Sequence, residues 1–116
     1  VHTEAINHAF DMIPMLQELG YDTTEFLIHI SVPPSIEIHL NANNVLKKEQ
    51  VEKVKENHKE NIIFVKVVES LYRASQLQKK LESGTLHAKG IQVQLGIPPR
   101  VSLVYAPHSS NIEIIK

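Results

Sequence analysis

The dipeptide Pro-Pro occurs twice in this chain, 65 residues apart, each time between two alternating apolar runs. Val32-Pro33-Pro34-Ser35-Ile36 recurs as Ile97-Pro98-Pro99-Arg100-Val101. Proline has no backbone donor and a fixed φ, so Pro-Pro cannot lie in a central strand and marks a turn. The flanking alternation marks strands with one face buried. Together these features predict two β-hairpins.

Register follows from parity, because cross-strand partners share a face. Phe26, Ile28, Ile30 and Val32 form the apolar face of the first strand; Ile36, Ile38 and Leu40 form that of the second. A two-residue loop would set Ile30 against Glu37, which fails. A three-residue loop, Pro33-Pro34-Ser35, pairs Val32 with Ile36, Ile30 with Ile38 and Ile28 with Leu40. It also sets Ser31 against Glu37 and His29 against His39. Ser35 is not the glycine such loops favour, so a wider turn of the same parity is the alternative. In the second copy the same rule pairs Ile97 with Val101, Leu95 with Leu103 and Val93 with Tyr105, leaving Gln92, Gln94, Gly96, Ser102 and Val104 outside. A last strand over Ile112 to Ile115 is expected to join an edge after a turn at Pro107 and Ser109-Ser110-Asn111.

Helices are expected before and between the hairpins. Ile6, Ala9, Phe10, Ile13, Leu16 and Leu19 form one stripe, with Thr3 as N-cap and Gly20 as the residue beyond the end. Pro14 inside that stripe predicts a kink or break near Met12-Ile13. Asn44 is placed to cap a helix over 45–59, with a Lys- and Glu-rich surface and a seam of Leu46, Val51, Val54 and His58. β-Branching at Ile62 to Val67 predicts a strand, followed by a helix over 69–83 with Leu71, Ala74, Leu77 and Leu81 inward and Gly84 beyond its end. Sliding the chain by 65 places Ile6 on Leu71, Ala9 on Ala74 and Leu16 on Leu81. The fold expected is therefore α+β in one domain, 1–116. It has an antiparallel sheet from two Pro-Pro hairpins, a pseudo-duplicated α-β-β unit, and two to three helices on one face.

Composition narrows function by exclusion. Without cysteine there is no disulfide frame, cysteine–zinc site or thiol nucleophile, which fits a cytoplasmic protein. The chain starts at Val1, so an initiator Met, with or without a leader or other upstream segment, is expected before it. No apolar run is long enough for a membrane span. Net charge is −1, which gives no reason to expect nucleic acid. The charges are unevenly placed. Residues 1–46 hold six acids and no Lys or Arg, whereas 61–116 hold seven bases against three acids. Halves of opposite sign suit attraction within a monomer or between copies.

Seven histidines are present. The three-residue loop sets His29 against His39, with β-carbons about 5 Å apart, and Glu37 diagonal to His29. His29, Glu37 and His39 are thus the candidate binding residues. They suit a transition metal, a site that changes charge between about pH 5 and 7, a protein contact, or simply the wet side of a hairpin. Ser109 and Ser110 beside His108 do not make a catalytic pair, since neighbours in a loop seldom reach each other. His29-Ile30-Ser31 resembles the His-x-Ser element of two-histidine phosphoesterases, but the second such element is absent. Four glycines never cluster into a phosphate-binding loop. Arg73, Lys79, Lys80 and Arg100 are the residues that a nucleic-acid contact would use. No cofactor is implied, and whether the chain is an enzyme stays open. The expectation is a non-enzymatic interaction or assembly module that self-associates as a homo-oligomer. The alternative is a small metal- or proton-dependent enzyme or binding protein built on His29, Glu37 and His39.

Overall fold

In a computed structural model of the chain, residues 2–81, 84–96 and 98–108 are described. The side chain of Thr3, the pairing of Ile97, and the expected turn and strand over 109–115 lie outside them. The order is α1 (His2–Glu18), β1 (Thr23–His29), β2 (Ser35–Leu40), α2 (Lys48–Asn57), α3 (Ile62–Lys80), β3 (Leu86–Leu95) and β4 (Arg100–Pro107). The four strands form one antiparallel sheet in the order β1-β2-β3-β4. The α+β class holds, with three helices on one face. Among the described residues, no helix is long and apolar enough to cross a membrane.

Both hairpins keep the expected parity and change the expected register. Phe26 faces Ile38 and Ile28 faces Ile36, so the first loop runs from Ile30 to Pro34. Five residues turn the chain instead of three, and every pair moves by four positions. Ile30 and Val32, expected inside, stand in that loop almost fully exposed, at 93% and 101%. The second hairpin moves equally: Val93 faces Val101 and Ile91 faces Leu103. Leu95 and Tyr105 accordingly take other partners than those expected, Tyr105 facing Ala88. A loop with two prolines cannot supply the ladder donors of a tight turn, so it opens to a wider one of the same parity.

The equivalence between the hairpins is closer than the sequence alone suggests. The last pair of the first, His29 with Ser35, and of the second, Gln94 with Arg100, lie 65 residues apart. Each first strand also has a bulge at the same place, between Thr23 and Glu25 and between Ala88 and Gly90. The helices do not share this correspondence. α1 buries Ala9, Met12 and Leu16, with Leu19 in the turn that follows, whereas α3 buries Phe64, Val67, Val68, Leu71 and Ser75. Leu77 and Leu81, expected inward, are about half exposed.

α1 runs through Pro14 without the expected break. Pro14 is exposed, so water can satisfy the carbonyl it deprives, while buried Met12 and Leu16 hold both flanks on the sheet. The helix ends in a Schellman turn. Tyr21 N–H donates to the Leu16 carbonyl at 3.1 Å and Gly20 N–H to that of Gln17 at 2.9 Å, with Gly20 at φ +90°. Asn44 lies directly over Gly20 and donates to the carbonyl of Leu19. It therefore closes α1 and does not cap α2. α2 is shorter than expected and starts at Lys48, with Lys47 in the capping position and no side-chain cap.

The segment expected as a strand over 62–67 is the start of α3. Asn61 accepts the Phe64 N–H at 3.1 Å, which caps a helix there. Phe64, Val67, Val68, Leu71 and Ser75 then fall on one helical stripe, and their burial outweighs the weak strand preference of β-branched residues. The core joins these to Met12, Leu16, Leu19, Tyr21, Ile38, Leu40, Leu46, Val51, Val54, Ile91 and Val93. Two polar ties fix the chain between β2 and α2 onto α3. Leu46 N–H donates to Ser75 Oγ and Gln78 Nε2 to the Ala42 carbonyl, both at 2.8 Å.

Two substitutions test these joints. A β-carbon at Gly20 would stand 2.6 Å from Asn44 Nδ2, at a φ that L-residues avoid. Gly20→Ala is expected to cost at least about 1–2 kcal/mol in urea unfolding. Ser75→Ala leaves a buried N–H without its acceptor and is expected to cost about 1–3 kcal/mol by the same measurement.

Candidate functional site: a histidine–glutamate cluster on the open sheet face

The helices pack on the face that carries Ile36, Ile38, Leu40, Ile91 and Val93, and among the described residues the other face of the sheet is open. On that face β1 presents Glu25, Leu27 and His29, and β2 presents Ser35, Glu37 and His39. β3 adds Gln92 and Gln94, and β4 adds Arg100, Ser102 and Val104. Alternation places them there, since each is one step from a core residue.

The four-residue shift rebuilds the expected cluster. His29 faces Ser35, not His39; His39 faces Glu25, and Leu27 faces Glu37. The three candidate residues still meet, now with the carboxylate at the centre. His29 Nε2 lies 3.1 Å from Glu37 Oε1, and His39 Nε2 lies 2.6 Å from Glu37 Oε2. On its other side, His39 Nδ1 lies 3.2 Å from Glu25 Oε1. Each Nε2 meets a Glu37 oxygen, so both of these bonds are donated by an imidazole N–H, while the second nitrogen of His39 stands at ion-pair distance from Glu25.

Burial grades across the cluster. The Glu37 side chain is 12% exposed, that of His39 20% and that of His29 44%. Glu37 is screened by its imidazole partners on an open face, not by depth in the molecule. Its carboxyl is held below the ordinary value of 4.5, first by the hydrogen bond from His39 and then by that from His29, against an opposing desolvation. The arrangement aims two imidazole donors at one carboxylate. Among the described residues no group of three or more His, Asp and Glu side chains is placed to hold a metal ion.

Glu25 was not anticipated, because the register that brings it to His39 depends on loop length, which parity leaves open. Beside this pair is a cleft of about 440 Å³, lined by Thr24, Glu25, His39, Asn41, Lys89 and Gln92 among others. Its walls include the two bulges, at Thr24 and Lys89. A second cleft of about 530 Å³ brings His87 and His108 together, with ring centroids 4.9 Å apart, beside Gln78 and Tyr105. The basic residues do not converge. Arg73, Lys79 and Lys80 lie on α3, whereas Arg100 lies across the sheet on its open face.

Compared with protein-family models, curated proteins and solved structures, the chain matches none of them. Function must therefore be argued from the fold and this geometry.

The depressed Glu37 carboxyl makes a signed prediction. Its contribution to stability is complete above its unfolded value, near 4.5, and is lost as pH falls through the lower folded value. Glu37→Gln is expected to be less stable than the wild type at about pH 6, with the gap closing towards about pH 3, by urea unfolding at each pH.

Proposed function

We propose that this chain is a non-enzymatic interaction and assembly module that self-associates through its sheet. The observation that carries the reading is the incomplete cover of the sheet at its two outer strands. The central pair buries Ile38, Leu40, Ile91 and Val93 almost completely, whereas Ile28 on β1 is 40% exposed and Val101, Leu103 and Tyr105 on β4 are only half-buried. The hairpin tip adds Ile30 and Val32, bare to solvent. Apolar side chains on an open edge are what a further strand would cover. The opposite charge of the two halves supports contact between copies.

A second reading gives the site of His29, Glu37, His39 and Glu25 a proton-dependent role. The carboxylate bonded to two imidazoles supports it, because a proton taken up by either ring sets a positive charge against that carboxylate.

Light scattering tests both. Average mass is expected to rise with concentration; a chain that stays at 13.1 kDa up to about 0.5 mM removes the assembly reading. If the proton-dependent role holds, mass or stability changes between about pH 5.5 and 7.5, and His29→Ala with His39→Ala abolishes that change.

A further inference from the structure

Resting on the self-association reading, we propose a specific mode: β4 of one copy pairs antiparallel with β1 of the next, repeating the junction that β2 and β3 make inside each copy. The duplication supplies the template. β3 lies 65 residues after β1 in register, and β4 likewise after β2, with loops and bulges matched. The free edge of β1 is therefore the counterpart of the β3 edge that meets β2. The edge of β4, which no strand among the described residues covers, is the counterpart of the β2 edge that meets β3. The molecule already contains one worked instance of the contact.

Internal pairing sets Ile36 against Leu95, Ile38 against Val93 and Leu40 against Ile91, with Glu37 against Gln94 and His39 against Gln92 on the open face. Carried over by 65 positions, it sets Val101 against Ile30, Leu103 against Ile28 and Tyr105 against Phe26. On the open face it sets Ser102 against His29 and Val104 against Leu27. Every pairing has the right parity. Among the described strand residues, Leu27 and Val104 are the only large apolar ones on the open face, one on each edge, and this register brings them together.

Burial agrees. At the internal junction Ile38 and Val93 are fully buried, and Leu40 and Ile91 are 1% exposed. Their counterparts Leu103, Ile28, Tyr105 and Phe26 are half-buried or exposed. A neighbouring copy would cover them. The stretches Phe26 to Ile30 and Val101 to Tyr105 contain no Pro, Gly, Lys, Arg, Asp or Glu, the residues by which edges are usually blunted. The bulge at Thr24 and Pro107 fall just beyond them.

The overall charge of the two halves favours the unlike pairing over β1 with β1 or β4 with β4. The β1 edge belongs to the half with six acids and no Lys or Arg, and the β4 edge to the half with seven bases and three acids. Like edges would set like charge together. A contact between unlike edges is heterologous, so it continues until a ring closes or a filament grows.

The test uses the full chain and two edge variants, Leu27→Lys and Val104→Lys, each on the open face away from the core. Circular dichroism melting first verifies that both fold. By light scattering at about 0.5 mM, wild type is expected well above twice the monomer mass and each variant alone at 13.1 kDa. Mixed in equal amounts, the variants are expected to reach twice that mass and stop. Leu27→Lys keeps its β4 edge and Val104→Lys its β1 edge, and the two blocked edges both carry Lys. A wild type that stays monomeric overturns the assembly reading and this mode together. Assembly of wild type with no recovery on mixing overturns the mode alone, as does either variant dimerising alone.

Discussion

The rest of the structure depends on the pairing of β2 with β3. Five antiparallel residue pairs, from Ile36–Leu95 to Leu40–Ile91, join the two hairpins into one sheet. Alone, either hairpin would be a two-stranded ribbon, which is marginal in water. Joined, they give a continuous apolar surface on which Met12, Leu16, Phe64, Val67 and Leu71 close. The same pairing fixes the opposite face, where Glu37 and His39 of β2 stand between β1 and the glutamines of β3. Core and candidate site are two sides of one central strand.

Polar contacts then decide details that apolar burial leaves free. Asn44 and Gly20 end α1 together, because the glycine leaves room for the amide that reaches the Leu19 carbonyl. Ser75 and Gln78 take hold of the chain after β2, so α2 begins where those bonds release it. On the open face Glu37 gathers His29 and His39, two donors for one acceptor group. Such a cluster gives the first hairpin a chemical identity that the second lacks. The counterparts of His29, Glu37 and His39 there are Gln94, Ser102 and Val104.

The fold class was legible in residue order: alternation around each Pro-Pro, a helical stripe before Gly20, and a Leu46–Val51–Val54 seam. Which faces of the strands turn inward was legible too. The errors share a cause. Ile62 to Val67 reads as a strand because β-branching is a local signal, yet Asn61 and the surface left by the sheet make it helical. Pro14 reads as a break because its cost is local, while the burial of Met12 and Leu16 that offsets it is not.

By itself the sequence determined parity. With a side-chain period of two, alternation dictates which face of the sheet each strand residue takes, and a shift by four positions does not change that face. It thereby placed His29, Glu37 and His39 on one face. Only the tertiary structure decided the register. Loop length is set by how a Pro-Pro turn can be closed and by which apolar partners the adjacent hairpin and helices offer. That choice took His39 from His29 and gave it Glu25. It placed Glu37 between the imidazoles, and it left Ile30 bare at the tip of the hairpin.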